Sequence, residues 1–333
     1  MRRRRLLTHT LPALAVASLA APPIVRAAAT ELRYQGWANG VIFPELAEDH
    51  GYLAPLKLNW VGNTISGPQD IQATVTGDID FGGAFNGSIE KLISAGAPIQ
   101  AVVGYTGSDK LTWRGLYVPD NSPIRGPRDL IGKQVGVNTL GAHYEFVIDE
   151  YLQRNGLSAE EIRQVTLVPQ PPSAQEQTLR YRQVDAAILD GIFREKAVDR
   201  GGLRLLVSDY EILGEFTAAS YVLTKRFINQ DPDASLLLVQ GVARAIEWAR
   251  TNDRQVVVAR MQDLIRRRGR NEDPAPAAYW RSPGLAGKGG VLDDRFFGLF
   301  IDWYRKNGDA AVGKLQPEDV YTNVFNPYAD TRG

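Results

Sequence analysis

The sequence predicts an α/β protein built from two lobes, and three observations carry that prediction. The chain has 333 residues, which is more than one hydrophobic core usually organises. Short apolar runs alternate with helical patterns from residue 31 to about 208, a spacing typical of largely parallel sheets. The alternation restarts near residue 113, so we expect two α/β units of similar plan.

The first unit is predicted over residues 31–105. Alternating or wholly apolar runs predict its strands, and helical spacing followed by stop signals predicts the segments between them. Ser66, Gly67, Pro68 and Gln69 form a capping-box pattern with proline in the first turn, which predicts a helix ending near Gly77. The predicted strands are 32–37, 56–60, 79–83 and 99–105, and the predicted helices are 44–50, 66–77 and 88–94.

The second unit is predicted over residues 113–208, after which the chain becomes helical. A further apolar strand over 216–224 is expected to return to the first lobe. The remaining patterns have apolar residues at helical spacing. The predicted strands are 113–118, 134–138, 165–168, 186–189 and 203–207, and the predicted helices include 142–155, 234–250, 254–268 and 294–305.

The first 29 residues have the three parts of a secretory signal: arginines at 2–5, an apolar run over 11–21, and alanines at 27–29. The apolar run is too short to span a bilayer, which takes about 20 residues. The arginine–leucine start also resembles a twin-arginine signal. We therefore expect export, with the mature chain beginning near Thr30. A retained N-terminal anchor and a buried basic helix are the alternatives.

Composition excludes several kinds of chemistry. The chain has no cysteine and three histidines, which excludes thiolate metal sites and cysteine nucleophiles and leaves little for a histidine-centred triad. Basic and acidic residues are equal at 38 each, but removing the five arginines of positions 1–29 leaves 33 against 38, a formal charge of −5. We expect no nucleic-acid partner, and we interpret the arginines at 266–268 and 270 as a solvated helix terminus.

Five segments keep one order along the chain and carry a family resemblance: PELAEDHGYL (44–53), GDIDFG (77–82), SPIRGPRDLIGKQVGV (122–137), VDAAI (184–188) and VYTNVFNPY (320–328). Together they resemble the periplasmic substrate-binding proteins of ABC transporters, in the nitrate-, sulfonate- and taurine-binding branch. The resemblance implies a type II periplasmic-binding-protein fold, whose two lobes each hold a mostly parallel sheet flanked by helices and are joined by two crossing hinge strands. We then expect lobe 1 in residues 30–110 and 222–333, and lobe 2 with the hinge strands in 111–221.

The resemblance also implies a function without catalysis. Members of this class close on a solute and present it to a membrane permease driven by an ATPase. We therefore expect a small-molecule solute, a permease and an ATPase as partners of a monomer in the periplasm. No catalytic residue, metal or cofactor is expected.

The binding cleft is expected where the carboxyl ends of strands and the N-termini of helices converge. This rule selects residues that follow the predicted strands or begin the next helix in both lobes. The expected ligand-binding residues are Trp37, Asn39, Asn63, Ser66, Phe85, Asn86, Ser88, Tyr105, Trp113, Thr139, Gly141, Ala142, His143, Tyr144 and Asp190.

An acid group of the ligand is expected at residues 139–144, because the family has a polar, glycine-bearing helix start at this position. Free N–H groups and the helix dipole stabilise an anion there by about 0.3–1 kcal/mol at exposed sites. Ser66, Ser88 and Thr139 are predicted to cap three helices facing the cleft, with plain capping as the alternative. The aromatic residues suit a flat ring or the core, and Asp190 would favour an amine or amide.

Arg114 is the arginine nearest the hinge, and strand alternation predicts that its side chain points outward. The lack of a cleft arginine disfavours nitrate and favours an organic sulfonate or carboxylate with an apolar or ring portion. His143 either pairs with that anion when protonated or packs as a buried residue. Two other functions stay open: an enzyme similar to thiamine-pyrimidine synthase, disfavoured by the export signal, and a periplasmic ligand sensor for a receptor.

Overall fold

Strands and helices alternate through the first two thirds of the chain in the computed structural model, which describes residues 30–329. The predicted α/β class is confirmed. The expected export signal in residues 1–29 lies outside the described residues. Within the described range no helix is both long and apolar enough to cross a membrane.

The first unit has four strands and three helices close to the predicted ones. Helix α2 shows how local sequence sets the bounds: the Ser66 side chain accepts a hydrogen bond from the Gln69 N–H at 3.4 Å, and Gly77 ends the helix with φ 83°. Only a residue without a Cβ adopts that angle freely. The elements are β1 (Glu31–Gly36), α1 (Phe43–Asp49), β2 (Lys57–Asn63), α2 (Gly67–Thr76), β3 (Phe81–Phe85), α3 (Asn86–Ser94) and β4 (Ile99–Ser108).

The second unit and the C-terminal helices follow the predicted order. The second unit comprises β5 (Gly115–Pro119), β6 (Gln134–Val137), α4 (His143–Arg154), α5 (Ala159–Ile162), β7 (Thr166–Pro169), α6 (Pro172–Arg180), β8 (Ala186–Leu189), α7 (Gly191–Asp199), β9 (Leu203–Ser208) and α8 (Asp209–Leu213). The rest comprises β10 (Phe216–Thr224), α9 (Lys225–Gln230), α10 (Pro232–Thr251), α11 (Arg254–Arg267), α12 (Arg295–Lys306) and α13 (Pro317–Val320).

The two halves order their strands in the same way. The sheet of the second half runs β7-β6-β8-β5-β9, and in the first half β1 pairs with β2 while β10 lies between β3 and β4. Asp80 joins the two parts of the first half: its side chain accepts from the Arg33 N–H at 2.7 Å and its own N–H donates to the Arg33 carbonyl at 2.9 Å. The first half therefore has the order β2-β1-β3-β10-β4. We call it lobe 1 and the half with β5 to β9 lobe 2.

The sheets are mixed rather than wholly parallel. Strand β6 is parallel to β7 and β8, but β5 is antiparallel to β8 and β9, and β10 is antiparallel to β3 and β4. β5 and β10 are the strands by which the chain enters lobe 2 and returns to lobe 1. Neither is preceded by a full crossover helix, which a parallel neighbour requires, so both insert antiparallel.

Helix α10 lies at the centre of the lobe 1 core. Val239, Val242 and Ile246 are fully buried there, as is Leu53. Gly241 permits this close approach, because a Cβ at that position would lie 2.3 Å from the Leu53 side chain. The helix thus covers one side of the lobe 1 strands and leaves their carboxyl ends free to face lobe 2.

Helix α12 of the C-terminal segment contacts lobe 2. The Phe300 and Phe146 rings have centroids 4.6 Å apart, and the Trp303 indole N–H donates to Asp149 of α4 at 2.9 Å. On another side, Arg281 pairs with Glu195 of α7 at 2.7 Å. The C-terminal half therefore touches lobe 2 at two places beside the two crossings of the chain.

The arginines that follow α11 are not all solvated, contrary to the sequence-based interpretation. Arg268 and Arg270 donate to the buried carboxylate of Glu45 at 2.9 and 2.8 Å, and the Tyr34 hydroxyl donates to it at 2.7 Å. Burial of a carboxylate is costly unless it is paired, so Glu45 holds both arginines against α1. Arg267 stays about half exposed, as expected of a helix terminus.

Glu90 of α3 is fully buried, and neither carboxylate oxygen has a hydrogen-bond partner among the described residues. Burial raises the pKa of Glu90 well above its ordinary value of 4.5, because desolvation disfavours the charged form. The folded protein therefore keeps a proton here that the unfolded chain loses. Its contribution to stability is full below about pH 4.5 and falls as the pH rises toward the folded pKa.

We expect Glu90→Gln to leave the Tm unchanged near pH 5 and to raise it at pH 8, by about 2–4 °C for each kcal/mol of relieved penalty. The amide cannot ionise, so the pH-dependent cost disappears. Thermal unfolding at both pH values measures this, with exposed Glu318→Gln as the matched control. Equal changes at the two pH values would contradict a buried neutral carboxyl.

Candidate functional site

The residues at the carboxyl ends of β3, β4, β8 and β9 meet at one junction, and its centre is Arg114. In each lobe the strand order reverses between two neighbours, β1 and β3 in lobe 1 and β6 and β8 in lobe 2. Ligands of open α/β sheets bind in the crevice at such switch points. The residues that end β3, β4, β8 and β9 are therefore the candidate ligand contacts.

Arg114 points into the molecule, and the prediction that it faces outward is wrong. Its side chain is 3% exposed and donates to the Gly107 carbonyl at 2.7 Å and to the Thr106 hydroxyl at 3.1 Å. Its backbone N–H donates to Asp209 at 2.8 Å. Arg114 precedes the first residue of β5, so strand alternation does not set its direction. Its direction is set by the acceptors of β4 and by Asp209.

Two carboxyl groups flank the Arg114 guanidinium. Asp209 Oδ2 lies 3.4 Å from Nη1, and Asp190 Oδ2 lies 3.3 Å from Nε, as an ion pair without hydrogen-bond geometry. The Tyr144 hydroxyl also donates to Asp190 Oδ2, at 2.7 Å. The charge of Arg114 is therefore compensated inside the protein, and the guanidinium is not a free anion-binding group.

His143 is fully buried beside Asp209, with Nε2 3.1 Å from Oδ2. Burial lowers the pKa of His143, against the opposing effect of Asp209. For Asp209, burial acts to raise the pKa, but the His143 hydrogen bond and the Arg114 charge outweigh it and the pKa is lowered. An ionised carboxylate only accepts, so neutral His143 donates from Nε2. Its Nδ1 has no partner among the described residues.

Aromatic rings line the junction on the lobe 1 side. Phe85, at the end of β3, stacks on His143 with centroids 4.9 Å apart and lies 5.2 Å from the Arg114 guanidinium carbon. Tyr105 of β4 stacks on Tyr221 at 4.3 Å. Phe85 and Tyr105 are half-buried, so their rings offer a flat apolar surface at the cleft.

Helix α4 begins without a side-chain cap. The residue before it is Ala142, so the prediction that Thr139 caps this helix is wrong. Gly141, with φ 64°, donates its N–H to the Glu145 carboxylate at 2.7 Å, and its carbonyl accepts from the Tyr304 hydroxyl. The N–H groups of the first turn of α4 thus have no side-chain acceptor from a capping residue.

The capping prediction is confirmed for Ser66 and wrong for Ser88. Helix α3 begins at Asn86, so Ser88 lies inside its first turn and its cap position is Phe85, without a side-chain bond. The earlier start follows from the Asn86 amide, which donates to the Thr217 and Phe296 carbonyls at 3.0 and 3.3 Å. The Ser220 hydroxyl donates to its oxygen at 2.8 Å. The Asn86 side chain therefore has a structural role.

Asp70, in α2, reaches the junction from lobe 1. It is 5% exposed, and its Oδ2 accepts from the Gly83 N–H at 2.7 Å while Oδ1 has no partner among residues 30–329. Burial raises the pKa of Asp70 to about 7, with the Gly83 hydrogen bond opposing the rise. A buried carboxyl with one unpaired oxygen is thus held against the middle of β3.

Several predicted residues lie away from this cluster. The Asn39 side chain accepts from the Asp273 N–H at 2.9 Å, tying the loop after β1 to the segment after α11. Asn63 accepts from the Trp60 indole at 3.2 Å. Trp37 packs on the lobe 1 core, and the Trp113 ring lies 3.5 Å from the Arg194 guanidinium carbon.

The structure thus brings together Phe85, Tyr105, His143, Tyr144 and Asp190 around Arg114. Sequence reasoning missed Asp209 and Asp70. The strand-end rule applied to β9 finds Asp209, which directly follows Ser208. No sequence signal singles out Asp70, because an acidic residue in the first turn of a helix is common on surfaces.

Neither of two cavities beside Glu215 contains a predicted ligand-binding residue. They measure about 390 and 330 Å³ and lie along the segment from Trp280 to Phe296, away from the junction. Across the part of the chain that the structure describes, no group of three or more His, Cys, Asp or Glu is placed to hold a metal ion. The junction at Arg114, where predicted residues of both lobes come together, is therefore the candidate site.

Solved structures share this fold at low sequence identity. The alkanesulfonate-binding protein SsuA from Xanthomonas axonopodis pv. citri, bound to MOPS, has TM-score 0.67 and 21% identity, covering 84% of this chain and 94% of its own. The periplasmic nitrate-binding protein NrtA from Synechocystis PCC 6803 has TM-score 0.64 and 12% identity, covering 88% and 86%. The desulfurization enzyme DSZB has TM-score 0.59 and 17% identity, covering 89% and 97%.

These likenesses confirm the predicted periplasmic-binding-protein fold, which binding proteins and an enzyme share. No curated protein sequence matches the chain. The family model described as NMT1/THI5 like matches residues 46–255. That match covers more than half of the 333 residues, and the chain therefore belongs to the NMT1/THI5-like family.

Proposed function

We propose that the protein is an extracytoplasmic solute-binding protein, which captures a small organic solute between its lobes and delivers it to an ABC transporter permease. The observation that carries this proposal is the junction itself. The two sheets have equal strand order, and at the junction the half-buried rings of Phe85 and Tyr105 from lobe 1 lie beside the polar groups of Arg114 and Asp190. That is the arrangement of a ligand clamp.

The proposed lobe boundaries follow the two crossings. Lobe 1 comprises residues 30–110 and 222–333, and lobe 2 comprises 111–221 with the hinge strands. β10 is the returning hinge strand and crosses this boundary, because residues 216–221 already pair with β3 and β4 of lobe 1. The segment between β4 and β5 is held by Ser282, whose hydroxyl donates to Asp109 at 2.7 Å and lies 2.7 Å from the Thr112 hydroxyl. Hinge motion at this crossing would strain the contacts of Ser282 with Asp109 and Thr112.

The proposed solute carries an acid group and an apolar or ring portion. Helix α4 presents first-turn N–H groups without a capping side chain, which suits a sulfonate or carboxylate. Phe85 and Tyr105 offer their rings beside it. Arg114 contributes little to anion binding because Asp190 and Asp209 already pair with it, which disfavours a small inorganic anion such as nitrate.

The proposed setting is the periplasm, reached by export through the predicted twin-arginine-like signal, with the protein acting as a monomer. The permease and its ATPase are the proposed protein partners. Support comes from the fold shared with periplasmic sulfonate- and nitrate-binding proteins. We propose no catalytic role: His143 is fully buried, and its Nε2 is engaged with Asp209.

We expect the mature protein to bind one solute per chain without altering it. A thermal-shift panel of sulfonates, carboxylates, pyrimidines and aromatic acids measures binding, because ligand at about 100 Kd adds roughly 2.7 kcal/mol of stability. Mass spectrometry of the released solute tests for chemistry. Recovery of a converted product would contradict a binding protein and favour an enzyme.

We expect saturation with a solute from that panel to compact the protein, since closure of the hinge brings the lobes together. Small-angle scattering with and without the solute measures the radius of gyration. A panel compound that gives no thermal shift serves as the control. An unchanged radius at saturation would count against a clamp that closes on its ligand.

We expect Thr139→Asp to weaken an acidic solute by about tenfold or more, because a like charge a few Å away costs on the order of 1–4 kcal/mol. Titration calorimetry measures the affinity. Thr166→Asp is the matched control, since Thr166 is exposed and begins β7 at the other end of the same sheet. Equal affinities in both variants would contradict the placement of the solute's acid group at the start of α4.

A further inference from the structure

The split between β1 and β3 in lobe 1 contains a buried hydrogen-bond acceptor without a donor. Strand β3 pairs with β10 on one side, whereas β1 pairs with β2 and is not its ladder partner. Asp70 reaches into this split, and Gly83 donates to its Oδ2 at 2.7 Å. Its Oδ1 is buried and has no donor among the described residues. Buried polar atoms are rarely left unpaired, so this oxygen marks a place for a donor.

The switch point of lobe 2 presents acceptors as well. Asp190 follows β8, is 28% exposed, and receives both the Arg114 contact and the Tyr144 hydrogen bond on Oδ2 rather than on Oδ1. Asn138 follows β6, and its side-chain oxygen is buried without a partner among residues 30–329. Both switch points therefore end in oxygen acceptors that lack donors.

Tyr105 connects the two sets of acceptors electrostatically. Burial raises the pKa of its hydroxyl, the carboxyl groups of Asp70 and Asp190 raise it further, and Arg114 opposes them. The contacts agree with this: a Cβ on Gly83, whose N–H donates to Asp70, would lie 2.7 Å from the Tyr105 ring. The hydroxyl of the next residue, Thr106, accepts from Arg114, whose Nε lies 3.3 Å from Asp190. Asp70 and Asp190 therefore flank the same end of β4.

The junction has more carboxyl groups than cationic groups. Arg114 faces two carboxyl groups, Asp190 and Asp209, and His143 is neutral. Asp70 adds a third carboxyl. An unpaired buried acceptor is costly, and a donor on a bound solute removes that cost.

We infer that the captured solute carries an N–H donor group, an amine, amidine or guanidine, which Asp70 and Asp190 bind from opposite lobes. This inference rests on the proposed function and narrows its solute class: a plain acid lacks the group that these oxygens recognise. Contacts from both lobes to one donor also stabilise the closed form, since an open cleft separates them.

Binding of a cationic donor releases a proton near neutral pH. Asp70 is protonated below about pH 7 and ionised above it, and an ammonium group favours the ionised form. The proton of the Asp70 carboxyl passes to solvent while the carboxylate pairs with the cation. Tyr105 of β4 and Tyr221 of β10 are the titratable groups whose pKa Asp70 raises, and Arg114 and Asp190 lie beyond Tyr105. Affinity for such a probe rises with pH, by up to about tenfold per unit below pH 7.

Matched probes that differ only in the donor test this inference. The pairs are 4-methylbenzoate with 4-(aminomethyl)benzoate, and pentanoate with 5-aminopentanoate. In titration calorimetry at pH 8 we expect the amine of at least one pair to bind about tenfold or more tightly than its partner. At pH 6 this preference shrinks, and buffers of different ionisation enthalpy report proton release.

Asp70→Asn tests the residue and keeps an acceptor for the Gly83 N–H. We expect it to abolish the amine preference and its pH dependence, while Asp78→Asn, an exposed aspartate just beyond α2, leaves both intact. Thermal unfolding checks the fold. Asp70 keeps a proton in the folded state between about pH 4 and 7, so its contribution to stability falls over that window, and the variant loses this slope.

The outcomes separate this inference from the proposed function. Equal affinity of both members of each pair, with acids still bound, overturns the donor inference and leaves the solute-binding role standing. An amine probe that binds Asp70→Asn as tightly as the unmodified protein does the same. Failure of every solute, these probes included, overturns the proposed function and the donor inference with it.

Discussion

The buried guanidinium of Arg114 is the constraint on which the junction depends. A charge removed from water costs several kcal/mol unless it is paired and hydrogen-bonded. Here the partners come from three places: Thr106 and Gly107 at the end of β4, Asp190 after β8, and Asp209 after β9. The segments that lead the chain into lobe 2 and out of it are thereby held at one point. Satisfying this single charge orders the two crossings.

Polar satisfaction is uneven across the molecule, and several of the unpaired buried atoms belong to residues at the junction. Asn86 and Glu45 are buried with donors or acceptors on their polar atoms. Asp70, Asn138 and His143 each leave one buried atom unpaired at the junction. Natural proteins violate polar satisfaction mainly at functional sites. Glu90 is unpaired too, but it lies in α3 and is not among the residues around Arg114.

Local patterns predicted most elements, and β8 and β10 to the residue. They succeeded because a short apolar run between turn signals is a property of consecutive residues. The errors arose where a distant partner overrides the local preference. Arg114 turns inward because Asp209, 95 positions later, meets its backbone and side chain. Helix α3 starts two residues early because Asn86 binds carbonyls of β10 and α12.

The strand-end rule located Phe85, Tyr105, His143, Tyr144 and Asp190 from sequence because the carboxyl ends of parallel strands share one edge of a sheet. It could not rank them, since burial and pairing depend on which strands become neighbours. By itself the sequence determined the α/β alternation, the two units and the strand ends that form the candidate site. Only the tertiary structure decided the order β2-β1-β3-β10-β4, the inward arginine and the unpaired Asp70, because these depend on contacts between residues far apart in the chain.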